Sequence, residues 1–397
     1  MSIIDFLFVP SQRRYAALLQ AKLRALGDTR PWQYHADREQ LALPAAQNGR
    51  PAAAINLGTL YAEFRAASRW QRGTMLEAAA HGQLQANLPG LYADARARLL
   101  PVVRPAAERG LSDLQLDSQL QLAFQPLCAD LEINLVYDTE HAMARISGAQ
   151  LADWGVSFEA AYQDALLNLR ERSTQALEDL GGAFRTPYED CYDAARLLLT
   201  DVLHRLPLDG APVVMIPNRS ILLVTGENNL PALAAILETA TTLLDQPRPL
   251  SPLMLRLGSQ GWENWQPAAH ASALRLLRIR SDGSDYATQK QLLERQFERD
   301  GIDVFVASYT GMYNEQGEAI SYCVWTEGVH ALLPQTDLIS FQLPEGGVLQ
   351  VPWHKVAANA GQLLQATSYA PVRHEVTAYP APAQIRQWAQ AEETAVV

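Results

Sequence analysis

The stretch APVVMIPNRSILLVT, residues 211–225, contains two apolar runs separated by a polar break. The runs are residues 213–216 and 221–224, and the break is Pro-Asn-Arg-Ser. Runs rich in Val, Ile and Leu on either side of turn-forming residues predict two antiparallel strands joined by a tight turn. Because the runs are apolar almost throughout, we expect both faces of the strands to be buried, in the centre of a sheet with helices packed on it.

Helical patterns lie on both sides of this hairpin. After Ser157, apolar residues recur at helical spacing through 158–169, which predicts an amphipathic helix with Ser157 as its N-cap. Further helices are predicted over about 190–205 and over 230–244, the latter capped by Asn229. Residues 131–138, LEINLVYD, predict a strand. We therefore expect a central unit, residues 106–266, with a mixed sheet and packed helices.

The N-terminal part, residues 1–105, is predicted to be a mostly helical α+β unit. Helical patterns cover 11–27 and 57–80. The stretch LLPVVRP, residues 99–105, must be extended, because each proline pushes the residue before it out of the α region. Residues 105–120 are interpreted as a linker or irregular segment.

The last third, residues 267–397, contains a different arrangement of predicted strands and helices. Four strand-like runs are joined in pairs through NEQG and PEGG turns, which predicts hairpins and an antiparallel sheet. Helices are predicted over about 286–299, 354–365 and 382–391. Because strands and helices are segregated along the chain, the fold class is predicted to be α+β rather than doubly wound.

Composition narrows the possible partners and compartments. The formal net charge of the 397 residues is −11, so no nucleic-acid binding is expected, because phosphate neutralisation needs clustered Lys and Arg. The three cysteines are too far apart to predict a disulfide framework, which fits a reducing compartment. No stretch reaches the roughly 18 apolar residues of a membrane helix. We expect a soluble, cytoplasmic protein without a membrane partner.

Motifs that carry a known mechanism are missing from the sequence. It contains no GxxxxGK[ST], GxGxxG, HExxH or GxSxG, and no two of its eight histidines lie at metal-ligand spacing. No cofactor and no metal are therefore predicted. Acidic residues gather at Asp138, which follows a strand end as catalytic carboxylates often do, and in 189–193 near Arg196. Helix capping and ion pairing are the alternative interpretation of both groups. Cys323 lies within a predicted strand, as an inert core thiol would.

Four residues are candidates for ligand binding. Asn218 and Arg219 lie at the tip of the central hairpin, where a polar fork can bind a carboxylate or phosphate. A turn tip also favours Asn for its backbone geometry alone. Arg104 is held between two prolines, and its guanidinium can bind an anion or make a structural ion pair. Asp138 follows a strand end, a common position for functional carboxylates.

Several stretches, in order, resemble the YtpQ-like bacterial proteins, a domain of unknown function. The resemblance covers roughly residues 10–260 and rests on YAEFRAASRWQR, LLPVVRP, NLVYDTEHAM, LADWGVSFEAAYQDALLNLRERS, YDAARLLLTDVL and PVVMIPNRSILLV. The usual hairpin tip of that family is more often Pro-His than the Pro217-Asn218 found here. The remaining C-terminal residues resemble an extension in longer proteobacterial relatives. The resemblance implies a soluble bacterial core of α/β type and brings no agreed activity, cofactor or site residue.

Three functions follow as hypotheses. The first is a non-enzymatic binding or protein-interaction module, with an unknown protein or a small anionic ligand as partner. The second is a hydrolase-type enzyme whose site is assembled from distant segments, drawing on Asp138, Asp193, Arg219 or Cys323. The third is a component of a bacterial defence or immunity system.

Overall fold

The computed structural model describes residues 9–44, 54–83, 88–115, 121–139, 143–246, 248–343 and 346–390. The α-helices in chain order are α1 Gln12–Ala25, α2 Leu57–Ala66, α3 Arg72–Gln83, α4 Tyr92–Ala95, α5 Ala106–Gln115, α6 Gly148–Asp153, α7 Phe158–Glu171, α8 Thr200–Leu203, α9 Leu230–Leu244, α10 Ala271–Asp300, α11 Trp353–Ala360 and α12 Pro382–Gln390. Short 3₁₀ turns cover Arg96–Arg98, Ala194–Leu198, Ala268–His270 and Gly361–Leu363.

The strands within the described ranges belong to five sheets. The first sheets contain β1 Gln33–His35, β2 Gln40–Ala42, β3 Ala54–Asn56, β4 Leu99–Pro105, β5 Phe124–Cys128, β6 Leu131–Asp138 and β7 Met143–Arg145. The central sheet contains β8 Glu178–Asp179, β9 Phe184–Arg185, β10 Pro212–Met215, β11 Leu223–Gly226, β12 Met254–Gly258 and β13 Gly261–Asn264. The C-terminal strands are β14 Phe305–Val306, β15 Thr310–Tyr313, β16 Ala319–Trp325, β17 Ala331–Pro334, β18 Leu338–Gln342, β19 Val348–Pro352, β20 Gln365–Ala366 and β21 Arg373–Val376.

The predicted hairpin is confirmed as the centre of its sheet, but residues 216–222 join its strands in place of the predicted tight turn. Strands β10 and β11 pair antiparallel with Val213 opposite Thr225 and Met215 opposite Leu223. All eight residues of the two strands are buried. The sheet order β13-β12-β10-β11-β9-β8 places the pair in the middle of six strands. An almost continuous apolar run is stable in this position because both faces of a central strand are covered.

Helices α7 and α9 begin where their capping residues predict. The Ser157 side chain accepts a hydrogen bond from the Ala160 amide, and the Asn229 side chain accepts one from the Ala232 amide. Each cap satisfies a backbone donor that has no partner within the helix. Helix α9 then buries one apolar stripe and packs against β10 and β11. Burial of a Leu or Ile in such a stripe contributes about 1.5–3 kcal/mol.

The chain divides into two units, and each combines helices with β-sheets, so the α+β class is confirmed. Unit 1 comprises Met1–Arg104, Leu116–Ser251 and Leu255–Glu263, and unit 2 comprises Pro105–Gln115, Pro252–Met254 and Asn264–Val397. Within unit 1, strands β4, β6 and β5 form a second sheet with β7 beside β6. None of the helices in the described ranges is long and apolar enough to cross a membrane.

Two predicted segments take a different structure. Residues 106–115, interpreted as a linker, form helix α5, because Ala107, Gly110, Leu111 and Leu114 share one helical face. The predicted helix over 190–205 is instead a 3₁₀ turn followed by the single turn α8. There the Asp190 and Asp193 side chains accept hydrogen bonds from nearby backbone amides, which competes with helix formation.

The C-terminal unit has both predicted hairpins, but its sheets are not purely antiparallel. β15 pairs with β16, and β18 pairs with β19, antiparallel as expected. β16 and β18, however, are parallel neighbours, and so are β14 and β17. Parallel neighbours need a crossover connection. Here the chain leaves the sheet β15-β16-β18-β19 after β16 and forms β17 in a separate sheet, with order β14-β17-β21-β20. It then returns to the sheet of β16 as β18.

Candidate functional site

Asp138, at the end of β6, is held by two donors from other segments. Its Oδ2 accepts a hydrogen bond from Arg172 Nη1 at 2.6 Å, and its Oδ1 accepts one from the Tyr192 hydroxyl at 2.7 Å. Burial, together with the Asp138 carboxylate, raises the pKa of Tyr192 well above its usual value. Both oxygens of this carboxylate therefore accept hydrogen bonds, and Asp138 links the end of β6 to the segments of Arg172 and Tyr192.

Arg196 joins the same region from the interior. Its Nη1 and Nη2 donate to the two oxygens of Asp190 at 2.9 and 2.8 Å, and its Nε donates to Ser173 Oγ at 2.9 Å. The guanidinium lies 3.6 Å from the centre of the Tyr188 ring. The fully buried Asp193 accepts from the Tyr188 and Asp190 amides. Arg196 is therefore paired with Asp190, and the Asp193 carboxylate is satisfied by backbone amides.

The loop between these residues is conformationally strained. Glu189 and Cys191 have φ of 52° and 66°, in the left-handed region that residues with a Cβ rarely adopt. The strain persists because Asp190 and Asp193 hold the backbone on both sides. The loop is thus shaped by its own polar groups.

The Asp190 contacts predict a pH dependence of stability. Burial of Asp190 alone would raise its pKa, but the hydrogen bonds and charge of Arg196 outweigh burial, so its pKa lies below the usual value. A depressed folded-state pKa stabilises the fold above the unfolded value of about 3.9, and the contribution disappears as pH falls through the folded-state pKa. In urea unfolding, Asp190→Asn should be less stable than the wild type by about 1–2 kcal/mol at pH 6. The difference should shrink below pH ~4; a difference that stays constant down to pH ~2.5 would contradict this account.

The predicted binding residues at the hairpin tip are packed against neighbouring segments. Asn218 Oδ1 accepts a hydrogen bond from the Ser220 amide at 2.9 Å, and the Asn218 backbone bridges to Pro249. The Arg219 carbonyl accepts from the Ala194 amide at 3.3 Å. The Asn218 oxygen therefore shapes the turn, as the geometric explanation of this residue predicts.

The field around Arg219 includes a carboxylate. Burial raises the pKa of Glu63 above its usual value, although the positive charges of Arg248 and Arg219 act in the opposite direction. Arg248 Nη2 donates to Glu63 Oε2 at 2.7 Å. Glu63 is therefore paired with Arg248 within the field of Arg219, and whether Arg219 binds an anion stays a prediction.

The structure brings Asp138, residues 190–196 and the hairpin tip together, because Tyr192 binds Asp138 while Ala194 binds the tip. Arg104 lies in β4 of the sheet that contains Asp138, is buried, and donates from Nη1 to the Val103 carbonyl at 2.7 Å. Whether any of these residues binds a ligand stays a prediction.

Cys323 lies on β16 in unit 2, with its side chain in the core. It is fully buried and receives a hydrogen bond from the Thr336 hydroxyl at 3.4 Å. Burial raises its pKa to about 12. A thiol in this environment stays protonated and is a poor nucleophile.

A groove in unit 2 was not anticipated from the sequence. It has a volume of about 630 Å³ and lies where α10 ends and β14 begins, beside the turn before β17. Phe297 forms part of its wall, and Ile302 and Phe305 line it while remaining 45% and 48% exposed. Side chains of this size are usually covered in a folded protein when they lie together.

The polar lining of the groove is mainly acidic. Glu294, Glu298 and Asp303 line it, and all three residues are exposed. His330 also lines it and contacts Glu375 at 2.6 Å. Lys290 lies at one side, 5.3 Å from the centre of the Phe305 ring and 3.5 Å from Glu294. The groove therefore combines an apolar floor with a negative rim.

Sequence reasoning missed this groove because its residues come from two separated segments. The local signal is the run IDVFV, residues 302–306, which carries apolar side chains just after the end of a helix. That run was interpreted only as part of a strand. In the structure β14 has two residues and is the edge strand of its sheet, which leaves Phe305 outside the core.

Comparison with known proteins gives no relative from which a role could be transferred. The chain matches no family model, no curated protein and no solved structure.

Proposed function

We propose that this chain is a cytoplasmic, non-enzymatic binding module of the YtpQ-like type, and that it holds a segment of a partner protein in the unit 2 groove. The observation that carries the proposal is the pair of exposed apolar side chains, Ile302 and Phe305, on the floor of a groove of about 630 Å³. This volume is within the usual range of sites that enclose a compact ligand.

The charge of the rim selects the kind of segment. Glu294, Glu298 and Asp303 favour a positively charged partner and disfavour a small anion. An apolar side chain from the partner would bury against Phe305 and Ile302, where each well-covered side chain contributes about 1.5–3 kcal/mol. The best occupant is therefore a segment with Lys or Arg on either side of a large apolar residue.

A hydrolase with a site assembled from distant segments is supported less well. Cys323 is buried and protonated, and both oxygens of Asp138 are engaged by Arg172 and Tyr192. Asp193 is fully buried, and its carboxylate accepts hydrogen bonds from two backbone amides. These groups would have to break their present contacts before they could act on a substrate.

The test is a selection of random peptides, displayed on phage, against the immobilised full chain. We expect enriched peptides in which basic residues flank an aromatic or aliphatic residue. Synthetic copies should bind with micromolar affinity, and their binding should weaken as salt rises, because rim charges are screened. Phe305→Ser should reduce the affinity at least tenfold, since it removes the apolar side chain against which the partner would bury without changing the charge of the groove.

Leu167→Ser is the matched control, because Leu167 is an exposed apolar residue on α7 in unit 1. This variant should bind the selected peptides as the wild type does. The proposal would fail if no peptide were enriched over an unrelated protein, if the enriched peptides were acidic, or if Phe305→Ser bound them unchanged.

A further inference from the structure

Lys290 borders the groove, on the side of α10 that lines it. The lining residues Glu294, Phe297 and Glu298 follow Lys290 at positions i+4, i+7 and i+8 of the helix. Residues at this spacing lie on one side of a helix. Lys290 therefore lies at the end of the groove, one helical turn before the first residue of α10 that lines it.

Three groups contact the ammonium of Lys290. Its Nζ lies over the Phe305 ring, 5.3 Å from the ring centre, and 3.5 Å from Glu294 Oε1. It also donates a hydrogen bond to Ser308 Oγ at 2.9 Å. An aromatic face and a carboxylate each attract a cation. Because Phe305 and Glu294 also line the groove, a cation that enters the groove is attracted to the position that Lys290 holds.

We propose that this position, formed by Phe305, Glu294 and Ser308, is the cation subsite for a Lys or Arg side chain of the partner, and that Lys290 fills it in the free protein. The inference rests on the proposed function, because it assigns a place to one basic side chain of the bound segment. On binding, the partner's ammonium or guanidinium group replaces that of Lys290. Lys290 is then a specificity-determining residue, since only a cation gains what Lys290 gives up.

Lys290 can leave the cation subsite at small cost. Its side chain is 23% exposed, and at such a site an ion pair and a cation–π contact are each weak. Its ammonium is carried on a flexible four-carbon stem, so the displaced group can move into water. Contacts of this strength favour the filled subsite by a factor of roughly three to ten, and removal of Lys290 should tighten partner binding by about the same factor.

Lysine signals in NMR spectra test the displacement, because the chain has three lysines, Lys22, Lys290 and Lys355. The full chain, labelled with ¹³C at lysine Cε, would be titrated with an unlabelled short peptide in which lysines flank a phenylalanine and a leucine. In the free protein the Lys290 signal should lie upfield, since protons over the face of the Phe305 ring are shielded. The peptide should move this signal downfield, to the position of a solvated lysine, while the signals of Lys22 and Lys355 stay in place.

Affinities for the same peptide give a second readout. Lys290→Met should bind it about three- to tenfold more tightly than the wild type, whereas Lys290→Arg should not, because it keeps a cation in the subsite. Arg299→Met is the matched control, because it removes the same charge from the opposite side of α10, where Arg299 pairs with Asp300. Its affinity should stay within about twofold of the wild-type value, since the charge of an exposed side chain is screened.

The inference and the proposed function fail in different ways. The inference would be overturned, and the groove would remain a binding site, if the Lys290 signal stayed upfield while the Ile302 methyl signal shifted. A Lys290→Met variant that binds no more tightly than the wild type, or that gains no more than Arg299→Met, would overturn it as well. If saturating peptide left the Ile302 signal unmoved in both the wild type and Lys290→Met, the proposed function would fail and the inference with it.

Discussion

Replacing Arg373 by Met should lower the free energy of unfolding by about 2–4 kcal/mol. Arg373 is fully buried in β21, and burial lowers the pKa of its guanidinium to about 10. It donates to Gln289 Oε1 at 2.6 Å and to the backbone carbonyls of Ala307, Leu332 and Tyr286 at 2.8, 3.1 and 3.1 Å. One side chain thus satisfies acceptors on α10, on β17 and after β14.

The methionine stem fills the same space but donates no hydrogen bond, so these acceptors would lose a partner in the interior. Arg373→Lys should lower the free energy of unfolding by less than Arg373→Met does, because its ammonium group keeps the charge. It should still be less stable than the wild type, because one ammonium group cannot span all four acceptors. Urea unfolding followed by tryptophan fluorescence measures the effect. Arg24→Met, on the exposed side of α1, is the control and should change stability by less than about 0.5 kcal/mol. Equal stability of the Arg373→Met and Arg24→Met variants would contradict the assigned role.

Gly110→Ala should destabilise the chain by about 1–3 kcal/mol, although alanine is the better helix former. Gly110 lies inside α5, where alanine would ordinarily gain up to about 1 kcal/mol. An added Cβ, however, would lie 2.0 Å from the Ala370 carbonyl oxygen and 2.7 Å from the Ala370 Cβ. Because the obstacle includes backbone, α5 or the segment around Ala370 would have to move.

Gly283→Ala is the matched control, because Gly283 lies inside α10 and its added Cβ would approach no closer than 3.6 Å, to the Tyr309 ring. This variant should be neutral or more stable by up to about 1 kcal/mol. Compared with the wild type, the midpoint of thermal unfolding should fall for Gly110→Ala and should rise or stay unchanged for Gly283→Ala. A stabilised Gly110→Ala variant would show that the close approach of α5 is not required.

Elements with local signals could be predicted from the sequence. The hairpin at 211–225 and helices α7 and α9 follow from apolar periodicity and from the caps Ser157 and Asn229. Such signals lie within a few residues of one another. They do not depend on which distant segments meet.

Elements that depend on distant contacts could not be predicted. The sequence predicts a linker over 105–120, and the packing face of α5 contains Ala107 and Gly110, which add little to an apolar pattern. Its close contact with Ala370 is visible only in three dimensions. The loss of helix over 190–193 likewise depends on Asp193 and on an arginine that is itself held by Ser173.

The same distinction applies to the candidate sites. Acidic residues near 138 and 190 were noticed in the sequence, but their engagement by Arg172, Tyr192 and Arg196 required the fold. The groove combines the end of α10 with the turn before β17, and no local pattern joins these two segments. Composition alone indicated a surplus of negative charge without indicating where it gathers.

The central claim is that the unit 2 groove binds a basic, apolar segment, and methyl NMR tests it most directly. The full chain, labelled at isoleucine δ1 methyl groups, would be titrated with a short peptide in which lysines flank a phenylalanine and a leucine. The account predicts that the Ile302 signal shifts progressively, while Ile221 near the hairpin tip and the buried Ile236 of α9 stay in place. An unmoved Ile302 signal at saturating peptide, or shifts centred on Ile221, would contradict it.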